Sequence, residues 1–174
     1  QVGKSSAVRH LGETFEHYIE VNFEKSPELK ELFEATSDVH QLATRLGMLY
    51  NVPVEPGKTL VFLDEIQVCS EAIKSLWFFK EDFPELHVVA AGSLLEFALK
   101  DLTSYGVGRI RSLFMYPLSF DEFLQAQGKK AWVDEKRKAD GEHPLFETLH
   151  KELVQQFRTF LMVGGMPASV VAWL

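Results

Sequence analysis

The stretch TLVFLDEIQ, residues 59–67, decides the fold. Residues 60–63 are an unbroken apolar run, where a half-buried strand would alternate apolar with polar. A run this short and this apolar reads as a strand covered on both faces, the situation of a strand inside a parallel sheet. It ends in two adjacent acids, Asp64 and Glu65. Ligands bind at the carboxyl ends of strands in open α/β sheets, so both acids arrive where chemistry is done.

The neighbouring segments fit the same plan. Upstream, YIEVNFE (residues 18–24) alternates, with Ile19, Val21 and Phe23 on one side, and reads as a strand. Ser26-Pro27 opens a helix through Phe33, and Ser37 is placed to cap another that carries Val39, Leu42, Leu46 and Leu49 on one face. Downstream, residues 71–83 read as a helix stopped by Pro84, LHVVAAGS (86–93) as a second buried strand, and SLLEFALKDL (93–102) as a helix. RIRSLFMY (109–116) reads as one more strand before Pro117. Strands alternating with helices predict a parallel α/β sheet.

The last third is helical. Ser119 and Glu122 form an S-x-x-E capping box over SFDEFLQAQG. The mixed-charge stretch GKKAWVDEKRKADGEHP (128–144) reads as a solvated connection. An amphipathic helix is predicted from about Leu145 to Met162, interrupted by Gly164-Gly165, with a last helix in MPASVVAWL (166–174). The expected domains are residues 1–117, an α/β core, and 118–174, a helical lid.

The chain begins QVGKSS, with a predicted helix from Lys4 to Leu11. Gly3, Lys4 and Ser5 are the second half of G-x-x-x-x-G-K-[ST], the loop that holds phosphates between a strand and a helix. Its first glycine would lie before Gln1. The physics asks for these residue types. Glycine lets backbone N–H groups turn toward phosphate oxygens, and the helix N-terminus adds positive potential. The lysine neutralises the β- and γ-phosphates, and the serine hydroxyl takes a Mg2+ position.

With that loop upstream, Asp64 is expected to hold Mg2+ through water and Glu65 to polarise an attacking water as general base. Ser93 ends the next strand. It suits contact with the γ-phosphate or the water, and suits equally the N-cap of the helix that follows. Arg109 and Arg111 are candidates for stabilising transition-state charge, with a solvent-facing role open for both. The six histidines have no metal-ligand spacing, and Trp77, Phe78 and Phe79 read as core.

Composition closes off other classes. The 174 residues carry 25 acidic and 18 Lys and Arg side chains, a formal charge of -7, which disfavours a nucleic-acid coat. The single cysteine, Cys69, excludes an internal disulfide and a cysteine-based zinc site. Neither a membrane-spanning run nor a signal peptide is visible, so the expected setting is cytoplasmic.

Taken in order, GKSS, LVFLDEIQ, HVVAAGSLLEFALK, GRIRSLFMYPLSFDEFL and FLMVGGMPASV resemble a family of archaeal and bacterial AAA+-type P-loop ATPases. The resemblance covers essentially the whole chain and implies a nucleotide-binding set of Gln1, Val2, Gly3, Lys4, Ser5 and Ser6, within which Gly3, Lys4 and Ser5 are Walker A. It makes Asp64 and Glu65 Walker B, with Mg2+ between Ser5 and Asp64, and puts Ser93 at the sensor position. It favours Arg109 over Arg111 as the arginine acting at the nucleotide. An arginine acting on a neighbour's nucleotide implies a homo-oligomer. Pro167 of GGMP stands near the adenine by this resemblance, in place of a lid arginine. The family's first strand and half of its phosphate loop are absent from the chain, which predicts a fragment, weakly active alone, of an active parent. Removing that strand is expected to leave the 109–116 strand without a neighbour.

The implied activity is Mg2+-dependent ATP hydrolysis coupled to conformational change. A slow-hydrolysing switch or scaffold that recruits a protein partner is the alternative. A phosphate-transferring kinase is disfavoured by the Asp64-Glu65 strand end, and a purely structural protein remains as the reading that a failure to bind ATP would favour.

Overall fold

The computed structural model describes residues 2–93 and 110–174. It divides into two units, Lys4–Leu113 and Phe114–Leu174, the first three residues being grouped with the latter.

The first unit holds a three-stranded parallel sheet in the order β1-β2-β3, with β1 at His17–Asn22, β2 at Thr59–Asp64 and β3 at His87–Ala90. Every residue of β2 is buried, as its continuous apolar run requires. Val61, Phe62 and Leu63 have no solvent exposure. The register pairs Asn22 with Asp64 and Leu63 with Ala90, so all three strands deliver their carboxyl ends to one edge.

Helix α1, Lys4–Gly12, precedes β1. A turn of 3-10 helix at Pro27–Leu29 runs into α2, Lys30–Glu34, but Ser26 makes no side-chain cap. Helix α3, Val39–Tyr50, is capped by Asp38 rather than by Ser37: the Asp38 carboxylate accepts from the His40 and Gln41 amides. Asn51 ends α3 in the left-handed conformation. Helix α4, Ser70–Asp82, connects β2 to β3. One core joins sheet and helices through Ile19, Val21, Phe23, Leu42, Leu46, Leu63, Ile66 and Phe79.

The strand expected over 109–116 does not form: Arg109 lies outside the described residues, and 110–116 pair with no strand among them. Leu113, Phe114 and Tyr116 are 80%, 64% and 76% exposed. A strand without ladder partners leaves its backbone groups to water, and nothing then holds it in a sheet. The expected helix over 93–102 likewise falls outside the described residues, apart from Ser93.

The second unit is helical. Helix α5, Phe120–Ala126, opens on the full capping box of Ser119 and Glu122. Helix α6, Lys130–Lys138, occupies the stretch expected as a solvated connection. Val133 buries one point of it completely, and Lys136 and Arg137 bind Asp121 of α5 at 3.0 and 3.1 Å. Helices α7, Glu147–Val163, and α8, Pro167–Trp173, complete the unit. Phe123 has no exposure and meets Phe160 and Trp173, each ring centroid at 5.3 Å. No helix among the described residues is long and apolar enough to cross a membrane.

Candidate nucleotide site

The site lies at the carboxyl edge of the sheet, where the head of α1 meets the ends of β1 and β2. Gly3 precedes α1 with φ of 94°, a conformation natural to glycine and strained for any side chain. Lys4 and Ser5 follow as the first residues of the helix, both half-buried. The first amides of a helix have no partner within it, so they face outward with the positive end of the dipole.

Ser5 Oγ donates to Asp64, 3.0 Å from Oδ2 and 3.2 Å from Oδ1. Asp64 is only 4% exposed, and Asn22 Nδ2 donates to its Oδ2 at 3.0 Å. A buried carboxylate needs such donors. Asn22 also ties down the loop behind it, its Oδ1 accepting from the Glu24 and Lys25 amides.

Glu65 leaves the sheet in the left-handed region, with φ of 52° and ψ of 40°. The neighbouring ladder explains it. The Ala91 amide donates to Leu63 O, but the Ala91 carbonyl accepts from Ile66 rather than Glu65. One extra residue is absorbed there, as in a bulge, and Glu65 takes the strain. Ile66 can then bury fully while Glu65 stays half-buried. Gln67 Nε2 donates to Glu65 Oε2 at 2.8 Å, and Ser93 Oγ approaches the same oxygen at 3.4 Å. Ser93 itself is exposed.

Ser5 and Asp64 therefore come together, and Glu65 and Ser93 come together. Val2 is half-buried and Ser6 exposed. Gln1 and Arg109 lie outside the described residues, and Arg111 is exposed. Pro167 begins α8 in the helical unit. Sequence reasoning missed Asn22 and Gln67. Asn22 was legible as a polar residue ending a strand that pairs with β2. Gln67 carried no signal, because only the turn after Glu65 brings it back.

A parallel sheet with Gly-Lys-Ser opening a helix against an Asp-Glu strand end defines a P-loop nucleotide-binding α/β domain. The family model described as AAA domain matches residues 1–124, and the chain belongs to that family. No curated protein and no solved structure matches it.

Proposed function

We propose that the protein binds ATP with Mg2+ and hydrolyses it, with Ser5 and Asp64 on the metal and Glu65 as general base. The observation that carries this reading is the pairing of the Ser5 hydroxyl with the buried Asp64 carboxylate at the head of α1. Both groups are hard oxygen donors, the kind Mg2+ takes, and they would hold it with the Ser5 hydroxyl directly and Asp64 through water. The metal would supply charge neutralisation for the phosphates and a fixed approach for them.

This chain's residues do the rest. Gly3 and the amides of the first turn of α1 receive phosphate oxygens, with Val2, Ser6 and Gln1 flanking them. Lys4 brings the charge. Glu65 accepts a proton from water, and Gln67 and Ser93 hold its carboxylate in place until then. Arg109 is assigned to transition-state charge, in a neighbouring copy if the protein assembles, and Pro167 to the adenine. Residues 1–117 are the ATPase core and 118–174 the lid in this reading. The buried, unpaired Cys69 is in keeping with a cytoplasmic setting.

The test is ATP binding and phosphate release measured against protein concentration in the full-length protein, with its complete phosphate loop, for wild type and Glu65→Gln. Binding retained in both, with turnover lost in the variant by about 100-fold or more, is the expected outcome. Binding without turnover in wild type would replace the ATPase with a nucleotide-dependent switch. No binding would reject the site.

A further inference from the structure

Helix α1 lies along β1 by more than its first turn. Ser5, Arg9 and Gly12 are spaced four and three apart, so they share one face of the helix. Tyr18, Glu20 and Asn22 alternate along β1 and share one face of the strand. The two sets meet in order. Ser5 sits on Asp64, the register partner of Asn22. Arg9 binds Glu20 through both oxygens, at 2.8 and 2.7 Å. Gly12 lies on the Tyr18 ring, where a Cβ would come within 2.5 to 3.0 Å of three ring carbons.

The lengths agree. Seven residues of helix advance about 10 Å, and four residues of strand about 13 Å, running in opposite directions. The middle contact is the directional one. An arginine fork on a carboxylate fixes angle as well as distance, and the Tyr18 hydroxyl donates to Glu20 Oε2 at 3.0 Å, holding that carboxylate from the other side. Arg9 is 46% exposed. An ion pair that open adds little to stability, so its effect is on placement.

We propose that Arg9 and Glu20 are positioning residues for the metal side of the nucleotide site, fixing the rotation and slide of α1 so that the Ser5 hydroxyl stands against Asp64. The proposal rests on the Mg2+-nucleotide reading above. It assigns the pair no contact with nucleotide or metal. Their influence passes along one helix face to Ser5.

The experiment compares wild type, Arg9→Lys, Glu20→Gln and the charge-exchanged double variant Arg9→Glu/Glu20→Arg in the intact protein. Calorimetry reads ATP binding as Mg2+ is titrated and again with Mg2+ chelated, and thermal unfolding without nucleotide checks the fold. Arg9→Lys keeps the charge and loses the fork. The expected result is a Mg2+ requirement raised about tenfold in both single variants, the size seen when groups behind a metal ligand are lost. Metal-free ATP binding and the unfolding temperature should stay near wild type, and the exchanged pair should recover part of the loss. Single variants that titrate as wild type would overturn the proposal while leaving the nucleotide site intact. An equal loss of metal-free ATP binding would reduce the pair to a general prop and overturn it too. A wild-type protein that binds ATP with no response to Mg2+ would instead remove the metal reading itself, and this proposal with it.

Discussion

Glu65 shows how one residue can be held against its own preference. A side chain with a Cβ at φ of 52° costs about 1–2 kcal/mol relative to ordinary backbone. The fold accepts that cost because Ile66, the next residue, is fully buried and its amide completes the ladder to Ala91. Glycine would relieve the strain but lose the carboxylate, and would also gain freedom in the unfolded chain. Glu65→Gly is therefore expected to leave stability unchanged or raise it by up to about 1 kcal/mol, while abolishing turnover. Glu65→Gln should keep the strain and show no gain. Urea unfolding of the two variants beside wild type decides it: a Gly variant less stable than the Gln variant would mean that the Gln67 hydrogen bond, and not the backbone, sets the energy of this turn.

At the scale of elements, Gly165 joins α7 to α8 by a close approach that admits no side chain. A Cβ there would fall on the Leu118 carbonyl oxygen, with Leu118 N at 3.0 Å and C at 3.1 Å, and the Leu118 amide donates to Gly165 O at 2.7 Å. Because the obstacle is backbone, it cannot swing aside. Gly165→Ala should destabilise the protein by about 1–3 kcal/mol. Gly141→Ala, where a Cβ meets nothing within 4 Å, is the control and should stay within about 0.5 kcal/mol. Equal unfolding midpoints for the two would show that the α7–α8 junction yields. Elements of this kind were unevenly legible in the sequence. The apolar run of β2, the alternation of β1 and the capping box of α5 are local patterns, and each stands where its pattern puts it. The pairing of Ser5 with Asp64 was legible because loop and strand each carry their own signature. Helix α6 was not, because its burial rests on Val133 and its docking on charges that read as solvated. The 109–116 segment has a strand's composition, yet pairing is a property of neighbours, and no described strand lies beside it. Asp38 displaced Ser37 as a cap by one position, a choice between two good cap residues that only the backbone makes.

Across the described residues of both units, the shifted carboxylates all shift the same way. In the α/β unit the Arg9 hydrogen bond holds Glu20 below its ordinary range, the Gln41 amide does so for Asp38, and the Lys58 ammonium for Glu55. In the helical unit the Lys136 ammonium lowers Asp121, the Ser119 amide lowers Glu122, and the His143 amide lowers Asp140. A carboxylate whose folded value lies below its unfolded one binds fewer protons when folded. Its stabilisation is complete above the unfolded value, about 4 for these groups, and is lost as pH falls through the folded value. Lys58 and Lys138 are raised by their acidic partners, so their contribution is complete below about 10 and lost only as pH rises beyond it. Between these limits stability should be level. The urea midpoint is expected to hold from about pH 8 to 5 and to fall below about pH 4, in helical and sheet signals together, because each unit carries its own set of lowered acids. A midpoint that already drops between pH 7 and 5.5 would show that groups other than these carboxylates set the acid sensitivity. A partial drop in the helical signal with the sheet signal unchanged would show that the carboxylates of the helical unit alone carry it.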